Sequence, residues 1–153
     1  MIRVLFLCLG NICRSPMAEA VFTRMVGEAG LNDQIEVDSA GTGSWHVGEM
    51  AHRGTRRVLQ QHGIDYEGRA RQISEGDLQP NTYIVAMSQS NVDELERRFG
   101  HQDSVFQLLD FADDADVRDV PDPYYTGNFE YVYQLVEEGC RGLLDFLREQ
   151  HGL

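Results

Sequence analysis

Residues 2–16 read Ile2-Arg3-Val4-Leu5-Phe6-Leu7-Cys8-Leu9-Gly10-Asn11-Ile12-Cys13-Arg14-Ser15-Pro16. Ile2–Leu7 is apolar with almost no alternation, the pattern of a β-strand covered on both faces of a sheet. Gly10 and Asn11 then permit the left-handed conformations of a tight loop. Ser15-Pro16 predicts a helix start, with Ser15 as N-cap and Pro16 in the first helical position. Met17, Ala20, Val21 and Met25 give that helix its apolar stripe, and Gly30 its stop.

The strand-then-helix alternation repeats outward from this stretch. Ile35–Val37 predicts a short second strand running into Asp38-Ser39-Ala40-Gly41 and a Gly-rich loop with Trp45 and His46. A helix over Arg53–His62 closes at Gly63, and Ser74-x-x-Asp77 predicts a capped turn. Tyr83–Met87 is the third strand. Asn91–Phe99 follows as a helix, with Asn91 as cap, Glu94 three residues on and Gly100 at its end. Val105–Leu109 is the fourth strand. A long acidic loop, Asp110–Tyr125, leads to a last helix over Asn128–Glu149, striped by Phe129, Val132, Val136, Cys140, Leu143 and Leu147. This order predicts one α/β domain over residues 1–153, a four-stranded parallel β-sheet flanked by helices on both faces. Such sheets bind ligands beyond the carboxyl ends of their strands, where strand order reverses, and the loop after strand one lies at that end.

Composition narrows the function. A chain of 153 residues, 42% hydrophobic and 25% charged, has the size and make-up of one globular domain. All 13 basic residues are Arg, and the net charge of −12 arises wholly in residues 73–153, which carry five Arg against seventeen acids. That surface repels nucleic acid and anionic lipid, so neither a nucleic-acid partner nor membrane insertion is expected. Three Cys do not make a disulfide framework, and Val4–Leu9 is too short for a signal peptide, so a cytoplasmic location is expected.

The loop Cys8–Ser15 carries the chemistry. Backbone N–H groups in such a turn can converge on an oxyanion, and the following helix N-terminus adds positive potential. Arg14 supplies a planar fork for two oxygens of a tetrahedral anion. The same field favours a thiolate, the nucleophilic form, at Cys8. Phosphate, sulfate or vanadate is expected to bind there, and the step calls for no metal ion or cofactor. Cleaving a phosphate ester needs a proton for the leaving oxygen, and Asp122, between Pro121 and Pro123, is the candidate donor. Tyr124 and Tyr125 can wall the cleft.

These segments resemble the low-molecular-weight protein tyrosine phosphatases, over essentially the whole chain. Cys8 to Pro16 matches their signature without a gap, as do Asp38-Ser39-Ala40-Gly41, Arg69-Ala70-Arg71-Gln72 and Asp122-Pro123-Tyr124-Tyr125, while Trp45-His46-Val47-Gly48 looks like the bacterial branch. The resemblance implies a cysteine phosphatase acting on phosphotyrosine and small aryl phosphates through a phosphocysteine on Cys8. Arg14 would clamp the phosphoryl group and Asp122 would serve as general acid, then base. Leu9, Gly10, Asn11, Ile12, Cys13 and Ser15 would form the rest of the phosphate-binding loop, with Ser15 hydrogen-bonded to the thiolate and Asn11 and Ser39 holding the loop in shape. Trp45, His46, Tyr124 and Tyr125 would line the substrate cleft. A Cys8–Cys13 disulfide under oxidation and tyrosine-phosphorylated partner proteins, a bacterial tyrosine kinase among them, are further implications.

Two positions depart from the family. The residue before Arg69-Ala70-Arg71-Gln72 is commonly His and is here Gly68; the residue after Met87 is commonly Asp and is here Ser88. Other functions on the same fold fit less well. Thioredoxin-coupled arsenate reduction needs a further pair of redox Cys, and none lies between Cys13 and Cys140. Protein-arginine phosphatases carry Thr at the place of Ile12. A phosphotyrosine-binding module without catalysis would not need Cys8, Arg14 and Asp122 together. The five His share no metal-ligand spacing. Cys140 reads as core, His62 as a helix-end residue, and the run Asp113, Asp114, Asp116, Asp119 as a solvated loop.

Overall fold

The strand read from residues 2–7 sits at the centre of the sheet. In the computed structural model, which describes residues 1–153, β1 (Ile2–Cys8) lies between β2 (Ile35–Gly41) and β3 (Thr82–Ala86). β4 (Val105–Gln107) extends the sheet beyond β3, and all four strands are parallel. The helices are α1 (Arg14–Glu28), α2 (Arg53–Gln61), α3 (Gln89–Phe99), α4 (Pro123–Thr126) and α5 (Phe129–His151). No helix is long and apolar enough to cross a membrane.

Burial on both faces explains why β1 lacks alternation. Val4, Phe6 and Cys8 enter the larger core with Met17 and Phe22 of α1 and Val136, Cys140 and Leu143 of α5. Phe6 meets Phe22 edge to face at 5.6 Å between ring centroids. Leu5 and Leu7 enter a smaller core on the other face with Ile84 and Leu95. The chain leaves β1 for β2 on one side and returns for β3 on the other, so the strand order reverses at β1, and the loop after Cys8 leaves the sheet at that point. Cys140 is fully buried, as expected.

Element boundaries differ from the sequence reading where side chains have other partners. Helix α1 begins at Arg14 after Cys13, two residues earlier than expected, because the Ser15 hydroxyl faces Cys8 and Asn11 and caps nothing. Pro16 therefore sits third in the helix, still inside the first turn that tolerates it. β2 runs through Ser39 and Ala40 to Gly41 because it pairs with β1 to its end. α3 starts at Gln89, not Asn91: Ser88 is the N-cap, and Asn91 Oδ1 accepts the Ser88 N–H at 3.1 Å. β4 ends at Gln107, after which Leu108–Phe111 turns as a 3-10 helix. The acidic loop contains α4, for which Asp122 is the N-cap and Pro123 the first residue.

One ion cluster ties the start of the sheet to the segment after α2. Asp77 accepts from Arg71 Nη1 at 3.0 Å, Arg71 Nη2 at 2.9 Å and Arg3 Nη2 at 3.1 Å, and from the Ser74 N–H at 2.9 Å. Burial works upward on this carboxyl, but the hydrogen bonds from Arg71, Ser74 and Arg3 prevail and hold it at about 2, below an ordinary value of 3.8. A depressed carboxyl stabilises the fold above its unfolded value, by about 2 kcal/mol here, and that stability is lost as pH falls through its folded value. Urea titration is expected to find Asp77→Asn less stable by about that amount at pH 7, with the difference closing between about pH 4 and pH 2. A difference that stays constant down to pH 2 would remove the ionic contribution of Asp77.

Candidate active site

Cys8 ends β1 at the floor of a cleft of about 320 Å³, 2% exposed. The loop that follows is turned inside out relative to an ordinary loop. Its carbonyls face outward to donors: Cys8 to Thr42 N–H (2.9 Å), Leu9 to Gly43 N–H (2.9 Å), Ile12 to His52 N–H (2.7 Å) and Cys13 to the Thr55 hydroxyl (3.1 Å). The N–H groups of Leu9, Gly10, Ile12, Cys13, Arg14 and Ser15 have no acceptor in the protein. A helix leaves its first N–H groups free as a rule, but Leu9, Gly10 and Ile12 precede the helix. Unpaired donors in a row, next to a helix N-terminus, suit an oxyanion.

Asn11 makes this shape possible. Its φ of +58° is left-handed, uncommon for a residue with a side chain. Its N–H donates to Cys8 Sγ at 3.3 Å, and its side chain is 2.8 Å from Ser15 Oγ and 3.1 Å from Ser39 Oγ. Ser15 Oγ lies 2.9 Å from Cys8 Sγ. Gly41 faces this turn so closely that a Cβ there would come within 2.8 Å of the Leu9 carbonyl oxygen. The structure thus brings Ser15, Asn11 and Ser39 together in one set of contacts behind Cys8 Sγ.

Arg14 is 6% exposed and lines the cleft. A buried guanidinium is costly unless paired. Here Nη1 donates to the Val120 carbonyl at 3.1 Å and Nη2 lies 3.5 Å from Asp122 Oδ2. The other Asp122 oxygen accepts the Tyr124 N–H at 3.0 Å, so the N-cap of α4 sets the orientation of the carboxylate. The segment leading to Asp122 is fastened to the sheet, with Val120 N–H donating to Met87 carbonyl and Asp119 accepting from Gln89 N–H. Asp119 is exposed, as are Asp113, Asp114 and Asp116, and through this bond it also accepts the first N–H of α3.

Trp45, His46, Tyr124 and Tyr125 line the mouth with Leu9, Gly10, Ile12 and Cys13. Trp45 and Tyr125 stand open, 71% and 78% exposed, and Tyr124 packs edge-on against His52. His52, which sequence reasoning passed over, also stacks on Phe129 and caps α2 by accepting from Gly54 N–H. Burial, then Arg53 and Arg56, lower its pKa below the ordinary histidine value. His62 stacks on Tyr133, in keeping with a structural role. Burial, then Asp122 and Cys8, push the Cys13 thiol up to about 12, which keeps it protonated beside Cys8.

A profile of the low molecular weight phosphotyrosine protein phosphatases matches residues 3–152. The chain belongs to that family. Low molecular weight protein-tyrosine-phosphatase YfkJ of Bacillus subtilis is 49% identical over 156 residues, all of both chains. Its crystal structure superposes on this phosphatase-family fold with a TM-score of 0.94 over 99% of this chain and 97% of that one. PtpA of Staphylococcus epidermidis is 47% identical over 148 residues, 96% of this chain and 94% of the relative. The crystal structure of a drosophila arginine phosphatase is similar at 33% identity, TM-score 0.88, over 96% and 98% of the two chains.

Glu19 and Tyr66 join the site unannounced by any motif, and the Arg71 backbone joins it from the Arg69-Ala70-Arg71-Gln72 segment. Ser39 Oγ donates to Glu19 Oε1, Tyr66 Oη donates to the same oxygen at 2.8 Å, and Arg71 N–H donates to Asn11 Oδ1 at 3.0 Å. Glu19 and Tyr66 are far apart in sequence, and only the packing of α1 against the segment after α2 brings them together.

Proposed function

We propose that this chain hydrolyses phosphotyrosine in proteins, and small aryl phosphates, through a phosphocysteine on Cys8. The observation that carries the reading is the row of acceptor-free N–H groups around a buried sulfur, faced by Arg14 and Asp122 across one cleft. In the first step Cys8 Sγ bonds to phosphorus as the bond to the tyrosine oxygen breaks. Arg14 and the loop N–H groups hold the equatorial oxygens, and Asp122 gives its proton to the leaving oxygen. In the second step Asp122 takes a proton from water, whose oxygen attacks phosphorus, and the P–S bond breaks to release phosphate and the thiolate.

Leu9, Gly10, Ile12, Cys13 and Ser15 supply the loop donors, and Asn11 with Ser39 keeps the loop in its turn. Trp45, His46, Tyr124 and Tyr125, which line the mouth of the cleft, would flank the ester ring. The partners on this reading are tyrosine-phosphorylated proteins of the cytoplasm, with a tyrosine kinase as one candidate; inorganic phosphate, sulfate and vanadate compete for the loop. Ile12 presents an apolar wall where an arginine phosphatase needs room for a polar guanidinium. Phosphotyrosyl and phosphoarginyl peptides of one sequence, assayed in EDTA, are expected to differ in kcat/KM by about 100-fold or more in favour of tyrosine, and vanadate is expected to abolish turnover. Preference for phosphoarginine would overturn the substrate assignment and leave the cysteine chemistry standing.

A further inference from the structure

Behind the loop, hydrogen bonds run from the sulfur of Cys8 to the phenol of Tyr66, and their direction is determined from one end. A backbone N–H can only donate, so Arg71 N–H fixes Asn11 Oδ1 as acceptor. The amide nitrogen Nδ2 is then turned to Ser15 and Ser39 and donates to both hydroxyl oxygens. Each hydroxyl, having accepted, has its own hydrogen free to donate onward. That of Ser15 points along the 2.9 Å contact to Cys8 Sγ, and that of Ser39 goes to Glu19 Oε1.

The far end holds only while Glu19 Oε1 remains an acceptor. Burial, the largest influence on Glu19, favours its neutral form; hydrogen bonds from Ser39 and Tyr66 oppose that, Asp38 adds to the burial effect, and Arg71 counters it. Tyr66, raised by burial and by Glu19, keeps its proton and stays a donor. Position 68 is built around this phenol: a Cβ on Gly68 would lie 2.2 Å from Tyr66 Oη. The family departure at Gly68 therefore clears the space in which Tyr66 reaches Glu19.

We propose that Tyr66 is a positioning residue of the phosphatase reaction: its hydroxyl holds Glu19 as acceptor for Ser39, and so fixes the direction of the hydrogen bonds that end on Cys8. The inference deepens the phosphatase reading and rests on it. Without the phenol hydroxyl, Glu19 Oε1 loses one of its two donors and no longer holds the Ser39 hydroxyl in one direction. Asn11 then loses the fixed partner that keeps its amide in register with Ser15.

Tyr66→Phe tests this, because the ring still fills the space beside Gly68. Turnover of p-nitrophenyl phosphate is expected to fall about five- to tenfold in kcat, the rate equivalent of one hydrogen bond, with KM nearly unchanged. The pH profile of Cys8 alkylation by iodoacetate is expected to move to higher pH by about half a unit or more. Glu19→Gln, which removes the charge at the same place, is expected to shift the profile in the same direction and decides the matter if Tyr66→Phe fails to fold. Folded variants with the parent alkylation profile overturn the proposal, whether or not their turnover falls. Alkylation reads Cys8 without any phosphoester, so an inactive parent would count against the phosphatase reading and leave this test interpretable.

Discussion

Cys8→Ser is expected to abolish hydrolysis of aryl phosphates, by about 10⁴-fold or more in kcat. The hydroxyl is a far weaker nucleophile at neutral pH than a sulfur that receives the Asn11 N–H at 3.3 Å and faces Ser15 Oγ at 2.9 Å. No neighbour can replace it: Cys13 is held protonated by burial, then Asp122 and Cys8, and Cys140 is buried in the core with the α1 and α5 stripes. Binding should survive, since Arg14 and the unpaired N–H groups of the loop are untouched. Calorimetry of the variant with a phosphotyrosyl peptide should therefore show an affinity close to the parent KM. Turnover within tenfold of the parent would place the nucleophile elsewhere.

The second large effect is on Asp122. Asp122→Ala is expected to slow phosphotyrosine and phenyl phosphate by about 100- to 1000-fold in kcat/KM, and p-nitrophenyl phosphate much less. The difference arises because p-nitrophenolate leaves well without a proton, whereas a tyrosine oxygen does not. Asp122 also caps α4 through the Tyr124 N–H and pairs with Arg14, so alanine removes two structural contacts along with the acid. Asp122→Asn separates these: the amide oxygen keeps the cap while the acid is lost. Equal rates for the two variants would assign the defect to proton transfer. An equal loss on good and poor leaving groups would take that role away from Asp122.

The fold was legible because apolar pattern carries it. The unbroken run Ile2–Leu7 signalled a strand buried on both faces, and the last helix showed its stripe from Val132 to Leu147. Boundaries slipped where a polar side chain had a tertiary partner stronger than its local one. Ser15 reads as an N-cap in any one-dimensional scan, yet its hydroxyl faces the sulfur. Asp119 reads as one acid among four and in fact closes the N-terminus of α3. In the site, Cys8, Arg14 and Ser15 lie within one turn of chain, and Asp122 stands between prolines, so their types and spacing were visible. Glu19 and Tyr66 were not, since a Glu in mid-helix and a Tyr in a loop are ordinary until α1 packs them against Ser39.

A covalent phosphocysteine on Cys8 is the step that distinguishes this chemistry, and acid quenching during turnover traps it. The parent protein and Asp122→Ala are mixed with p-nitrophenyl phosphate in EDTA, stopped in acid, digested and sequenced by mass spectrometry. One phosphoryl group is expected on Cys8, more abundant in Asp122→Ala because the attacking water has lost its base, with no label in Cys8→Ser. A phosphoryl group on any other residue, or steady turnover with Cys8 never labelled in either protein, would contradict it.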